Sequence, residues 1–257
     1  MKWTVASDID GTLVGDRESL DQLADRLRRM RTEGDLYLIL STGRRLEQVI
    51  SGIAEEGLPE PDAVVCQVGT EIYQAPFLED SAPMEAWRDA LLRQYSRTEA
   101  VSFLDGIEGL LMQPDIYNTE LKTSCYLDQC PDPEAAASEI RRRVEQRGQA
   151  YQVIWSSGRD LDILPADSGK GKAIRFLINH EGLEPEHVVV AGDTGNDRAM
   201  FEEFSRGIIV ANAKPELLQW ASEATNDSIY RAERPFAAGV EEGLEFFSVL
   251  DGSASTS

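Results

Sequence analysis

The apolar run Trp3-Thr4-Val5-Ala6 stops at Asp8 and Asp10, two carboxylates one residue apart. A buried strand that ends this way delivers both to a loop, because side chains at i and i+2 of an extended segment leave it on the same side. Gly11 then lets the chain turn sharply. Leu20, Leu23, Ala24, Leu27 and Met30 recur at helical spacing, and Gly34 closes that helix. Leu36 to Leu40 is continuously apolar, as in a parallel strand covered on both faces, and ends in the polar tip Ser41-Thr42-Gly43-Arg44. Leu46, Val49, Ile50 and Ile53 mark another helix, stopped by Gly57-Leu58-Pro59. Ala63 to Cys66 is a third strand, followed by Val68 to Tyr73. Strand and helix alternating in this way predict a Rossmann-like, doubly wound parallel sheet.

The alternation breaks after residue 82. An amphipathic helix is expected at about 84–98 with Trp87, Leu91, Leu92 and Tyr95, then strand-like pieces around 108–113 and 121–127. A charged helix at about 133–147 turns Ile140 and Val144 inward, and two more strands fit Tyr151–Trp155 and Asp160–Leu164. This reads as a second, α+β domain with an antiparallel sheet, residues 83–162, inserted into an α/β core formed by 1–82 and 163–250. From Ser168 the α/β order resumes: a helix over Gly169–Glu181, a strand over Val188–Ala191 ending in Gly192-Asp193-Thr194-Gly195-Asn196-Asp197, a helix with Ala199, Met200 and Phe201, a strand over Arg206–Val210, a short helix over Pro215–Ala221 and a last helix at 235–247. Residues 251–257 are small and polar and are expected to be a disordered tail.

Charge narrows the partners. Among 257 residues, 46 are acidic against 25 basic, a net charge of −21. Such a surface repels nucleic acid and anionic membranes, so neither is a main partner. An anionic substrate then needs local lysines and arginines to offset the field. Three cysteines, Cys66, Cys125 and Cys130, make no disulfide framework, and with His180 and His187 the only histidines a zinc site is not expected. No signal peptide and no apolar run of membrane-spanning length are found, which predicts a cytoplasmic protein, read here as a monomer.

Four polar clusters fall just after strands or at a helix start: Asp8/Asp10, Thr42, Lys170 and Asp193/Asp197. Sites in parallel α/β sheets form beyond the carboxyl ends of the strands, where such loops meet. Asp8 can attack phosphorus and form an aspartyl-phosphate. Asp10 can protonate the leaving alcohol and then deprotonate the attacking water. Mg2+ can bridge Asp8, the Asp10 carbonyl, Asp193 and the phosphate, with Asp197 as a direct or an outer ligand. Thr42 and the backbone after it, at Gly43, can bond phosphate oxygens, and Lys170 can neutralise Asp8 and the phosphoryl group. Ordinary readings compete: Asp193 and Asp197 as helix N-terminal acids, Lys172 in place of Lys170, and Arg44 and Arg45 as either phosphate contacts or surface charge.

Asp8-Ile9-Asp10-Gly11-Thr12-Leu13, Ser41-Thr42-Gly43-Arg44, Gly169-Lys170-Gly171 and Gly192 to Asp197 resemble, in order, the four motifs of haloacid dehalogenase-superfamily phosphatases. The spacing resembles members with an α+β cap between the second and third motifs. Val68 to Tyr73, Leu121 to Ser124, Ser156 to Pro165 and Asn212 to Leu218 resemble the sucrose-phosphatase branch, and mannosylfructose-phosphate phosphatase is similar in the same stretches. Thr70 and Thr194 stand where Ser is more usual. The resemblance implies a Mg2+-dependent hydrolase of a disaccharide phosphate, sucrose 6-phosphate before other glycosyl phosphates, with Asn196 also on the phosphate and Glu71, Tyr73, Lys122, Ser157, Asp160 and Asp162 facing the sugar. It implies an upstream glycosyltransferase as a possible macromolecular partner. A phosphomutase or phosphotransferase, or a non-catalytic sugar-phosphate sensor, are the rival roles. Asp160 and Asp162 could instead solubilise an edge strand, and Trp87, Trp155 and Trp220 fit a core as well as a sugar platform.

Overall fold

Residues 2–250, apart from 79, 157 and 225–227, are described by a computed structural model of the chain. The tail 251–257 and the candidate Ser157 lie outside the described residues. The chain opens with β1 (Trp3–Ser7), α1 (Arg17–Glu33), β2 (Leu36–Ser41), α2 (Leu46–Ser51), β3 (Ala63–Cys66) and β4 (Glu71–Gln74). It continues through α3 (Glu85–Leu92), α4 (Arg97–Ser102), β5 (Leu111–Met112), β6 (Thr123–Tyr126), α5 (Pro133–Arg147), β7 (Tyr151–Ser156) and β8 (Asp160–Pro165). It closes with α6 (Lys170–Glu181), β9 (Val188–Gly192), α7 (Arg198–Glu203), β10 (Arg206–Ile209), α8 (Pro215–Glu223), β11 (Ile229–Arg231) and α9 (Phe236–Phe246).

Seven strands form one sheet in the order β11-β10-β9-β1-β2-β3-β4. All neighbours run parallel except β3 and β4. The Gln67–Gly69 turn between those two is too short for a crossover, so β4 folds back antiparallel. β1 lies between β2 and β9, with Val5 and Ala6 buried, so the chain passes from one side of β1 to the other and the loops after these strands meet over the switch. Helix α1 starts where Asp16 accepts from Ser19 N at 3.0 Å and ends at Gly34 in the left-handed region, which gives its boundaries a local cause.

The second sheet, β5-β6-β8-β7, is antiparallel throughout. Leu161 and Ile163 of β8 share one buried cluster with Ile140 and Val144 of α5, so the alternation of the strand turns Asp160 and Asp162 to its opposite face. β8 is interior, paired on both sides, which overturns the edge-strand reading of these two aspartates. Three further expectations change. The helix at 84–98 is two, because Ser96 caps a new start by accepting from Glu99 N. The strand at 108–113 shrinks to two residues at the sheet edge. β11, three residues with little apolar pattern, extends the main sheet beyond β10. Among the described residues no helix is long and apolar enough to cross a membrane.

Candidate active site

Asp8 directly follows β1 and still bonds β9, its N–H donating to Ala191 O at 2.9 Å. The next residues wind tightly: Leu13 N and Val14 N both donate to Ile9 O at 2.9 Å. Gly11 holds this turn at φ +85°, and a Cβ there would sit 2.4 Å from Asp193 Oδ2. The turn therefore brings the first loop against the loop after β9 only because this residue has no side chain. Thr12 Oγ1 completes the join by donating to Asp193 Oδ1 at 3.1 Å.

Asp8, Asp193 and Asp197 are buried, and one carboxylate oxygen from each lies within 4.8 Å of the others. Lys170, fully buried at the first residue of α6, bridges two of them, with Nζ donating to Asp8 Oδ1 at 2.5 Å and to Asp197 Oδ1 at 2.6 Å. The other Asp197 oxygen accepts from Asp193 N and Thr194 N at 3.0 Å. Both Asp197 oxygens thus accept from protein donors and anchor the loop, while among the described residues no donor meets Asp193 Oδ2. Lys172, half exposed, donates instead to Ala166 O at 2.8 Å, so of the two lysines it is Lys170 that bonds Asp8 and Asp197.

The electrostatics follow from three carboxylates around one ammonium. Burial raises Asp8 well above the ordinary carboxylate value; Lys170 pulls it down and Asp197 pushes it up again. Burial, then Asp197, pushes Asp193 up to about 6. Burial presses Lys170 downward, but Asp197 and Asp8 together outweigh it and hold the ammonium above its usual value. The cluster carries more negative charge than its lysine offsets.

Asp10 leaves the cluster. Its side chain is 60 % exposed and meets Arg44, whose Nε and Nη2 donate to its two oxygens at 2.9 and 2.7 Å. Arg44 thus lines the same cavity as Asp8 and Gly43, with Nε and Nη2 turned to Asp10. Thr42 is buried in its loop, its Oγ1 accepting from Arg44 N at 3.0 Å, and Gly43 after it reaches the cavity wall.

A cavity of about 400 Å³ separates the two sheets. Asp8, Asp10, Gly43 and Asn196 line it from below. Lys122, Asp160 and Asp162 line it from the second sheet. Lys122 Nζ lies 3.7 Å from Asp162 Oδ1, which accepts from Ser124 Oγ at 2.5 Å. Gln113 Nε2 donates to Asp160 Oδ1 at 2.9 Å. Burial raises Asp160 and the neighbouring Arg159 lowers it, with a net upward shift. Glu71 and Tyr73 do not line this cavity among the described residues; they bond each other, Tyr73 OH donating to Glu71 Oε2 at 2.9 Å. Burial raises Glu71 against the pull of that hydroxyl and of Lys122. Gln48 of α2 went unnoticed in the sequence, as did three wall residues on the side of the second sheet: Gln113, Tyr117 and Tyr126. The alternation Lys122, Ser124, Tyr126 carried the signal for the last; the other two sit in an irregular stretch with no period to read.

The family model described as sucrose-6F-phosphate phosphohydrolase matches residues 1–248. A mannosylfructose-phosphate phosphatase of Agrobacterium fabrum is 32% identical over 247 residues, 95% of this chain and 96% of the relative. Sucrose-phosphatase 1 of Nicotiana tabacum is 31% identical over 95% of this chain, which spans 59% of the plant protein's length. A sucrose-phosphatase from Synechocystis, solved in complex with sucrose and phosphate, superposes with a TM-score of 0.89 at 34% identity, covering 96% of this chain and 99% of the other.

Proposed function

The chain belongs to the sucrose-6F-phosphate phosphohydrolase family, and from that premise we propose that it cleaves a disaccharide phosphate, sucrose 6-phosphate first, to the free sugar and inorganic phosphate. The observation that carries this reading is the pairing of a lysine-clamped aspartate with a polar wall on the facing sheet, across one cavity. Residues 83–162 act as the cap that selects the sugar, with Lys122, Asp160 and Asp162 meeting its hydroxyls. A site built to bond hydroxyls rejects molecules that lack them.

Asp8 attacks phosphorus through its carboxylate, and the bond from phosphorus to the sugar oxygen breaks. Asp10 gives its proton to that oxygen, so the sugar leaves as an alcohol. Water then attacks the aspartyl-phosphate, Asp10 takes the water's proton, and Asp8 and phosphate are released. Lys170 holds Asp8 in one orientation and offsets charge as the phosphoryl group arrives. Gly43 and Asn196 supply donors for the phosphate oxygens.

Buried hard oxygen donors with an excess of negative charge suit Mg2+. Asp8 and Asp193 would hold it together with the Asp10 carbonyl, and Asp197 would fix the Asp193 backbone. When bound, the ion offsets carboxylate and phosphate charge that Lys170 alone does not balance.

The similarity to a mannosylfructose-phosphate phosphatase over nearly its whole length supports a second substrate reading of the same chemistry. Phosphate release from sucrose 6-phosphate and mannosylfructose phosphate, measured side by side with Mg2+ and with chelator, ranks the two. Release from neither in the presence of Mg2+ would sink the proposal.

A further inference from the structure

We propose that Arg44 and Glu56 form a positioning pair for the proton carrier Asp10, holding its carboxylate in a two-pronged fork between its two proton transfers. The inference rests on the reading of Asp10 given above and goes beyond it to residues outside the reacting cluster.

Arginine offers five N–H donors in a rigid plane. In Arg44 four of them are engaged. Nε and Nη2 take both oxygens of Asp10, and Nη1 and Nη2 take both oxygens of Glu56, at 2.7 and 2.9 Å. Both side chains line the cavity, the Arg44 side chain 14 % exposed and that of Asp10 60 % exposed, so the guanidinium holds a carboxylate that faces it. With four of its five N–H donors on Asp10 and Glu56, Arg44 has only one left for another acceptor.

The surroundings are built for this fork. Glu56 ends a π-helical turn, Gly52–Glu56, that continues α2. Such turns interrupt the ordinary helical register and re-aim a side chain. A Cβ on Gly52 would lie 3.0 Å from Arg44 Nη1 and 2.6 Å from Leu58 Cδ1, so the guanidinium passes over a stretch of helix that has no room for one. The Arg44 backbone is pinned too: its carbonyl accepts from Gln67 N at 3.1 Å, and the Thr42 carbonyl accepts from Val68 N at 3.0 Å. Gln67 and Val68 hold φ of 50° and 60°, left-handed values that cost a non-glycine residue energy and persist only where the neighbourhood enforces them. A mere surface ion pair needs none of this support.

The chemistry gives the fork a purpose. When Asp10 has passed its proton to the sugar oxygen it is a carboxylate, and both oxygens then find donors in Arg44. Glu56 keeps the guanidinium in place while one Asp10 oxygen leaves the fork to carry the next proton, taken from water. Asp10 thus returns to one orientation in each cycle. Misplacing a reacting group by a fraction of its contact distance is enough to cost about a hundredfold in rate.

The test compares the full-length protein with Arg44→Lys, which keeps the charge and loses the fork, and with Glu56→Gln. Two substrates are used: the sugar phosphate, whose leaving oxygen needs a proton, and 4-nitrophenyl phosphate, whose leaving oxygen does not. Arg44→Lys is expected to lower kcat/KM on the sugar phosphate about a hundredfold, through kcat with KM within about twofold, and on the aryl phosphate by less than about threefold. Glu56→Gln moves the same ratio in the same direction by about tenfold and, lying nearer the surface, carries the test should Arg44→Lys misfold. Equal losses of kcat/KM on both substrates, which reports only the step up to loss of the leaving group, or a raised KM with kcat intact on the sugar phosphate, would overturn the inference by making Arg44 a general support or a phosphate ligand. Wild-type protein inactive on both substrates would overturn the phosphatase reading, and the inference with it.

Discussion

The ammonium nitrogen of Lys170 lies 2.5 Å from Asp8 Oδ1, with the lysine side chain wholly shut off from solvent and that of the aspartate nearly so. An ion pair this deep is stable only because Asp197 takes a second proton of the same ammonium at 2.6 Å. In the proposed mechanism the same contact would aim Asp8, since one oxygen held by lysine leaves the other for the cavity that Asp8 lines.

Lys170→Met is therefore expected to lose both stability and turnover. It strands two buried carboxylates, which costs about 3–5 kcal/mol, and removes a preorganised charge, which lowers kcat about 10²–10³-fold. Lys172→Met, at a half-exposed residue bonded to a carbonyl, is expected to leave kcat unchanged. Phosphate release and urea midpoints of the two variants check this. A Lys172 variant as damaged as the Lys170 variant would reverse the assignment.

Asp193 provides a pH test. Burial and then Asp197 push it from 3.8 to about 6 in the folded protein, so folding favours its protonated form relative to the unfolded chain. Its contribution to stability is full below pH 3.8 and is lost as pH rises through about 6, an effect of about 3 kcal/mol. Burial shifts Asp8 in the same direction. A divalent cation binds the ionised carboxylates and competes with protons. Mg2+ is therefore expected to raise the melting temperature more at pH 7.5 than at pH 5, and Asp193→Asn to shrink that difference. An equal Mg2+ effect at both pH values would count against a metal at this cluster.

Two members of the cluster were legible because each follows an apolar run that stops abruptly: β1 before Asp8, β9 before Asp193. Strand periodicity locates such residues without knowledge of the fold. Arg44 was visible but undecided, since its direction depends on a π-helical turn that the apolar period of Leu46, Val49, Ile50 and Ile53 does not reveal. Glu71 and Tyr73 were placed on the sugar from resemblance. As residues i and i+2 of β4 they share a side, and there they satisfy each other. The interior place of β8 was also hidden, because strand order in an antiparallel sheet is set by pairing at long range rather than by local pattern.

Lys122, Asp162 and Ser124 form one buried polar group on the second sheet. If they read sugar hydroxyls, Lys122→Met should raise KM for the disaccharide phosphate about tenfold, as for a lost bond to a charged group, and leave 4-nitrophenyl phosphate nearly unaffected. Asp162→Asn should do the same, and the double variant should fall short of the sum because the two side chains interact. Steady-state kinetics on both substrates measure it. Equal effects on the two substrates would place the group's role in folding instead.

Gln152 governs how the second sheet returns the chain to the site. From β7 its Nε2 donates to Pro165 O at 2.8 Å and to Ser168 O at 2.7 Å, the two ends of the segment that leads into Lys170. Gln152→Leu removes both donors at similar volume and should cost about 1–3 kcal/mol, chiefly through the Ser168 carbonyl, since that of Pro165 still accepts from Ser168 N and Oγ. Gln152→Glu should cost more, because a carboxylate would then face the carbonyls of Pro165, Ala166 and Ser168 with no proton to offer. Melting curves of the two variants, with hydrogen exchange at 166–170, test the order. A glutamate tolerated better than a leucine would mean that this side chain fills space and holds nothing.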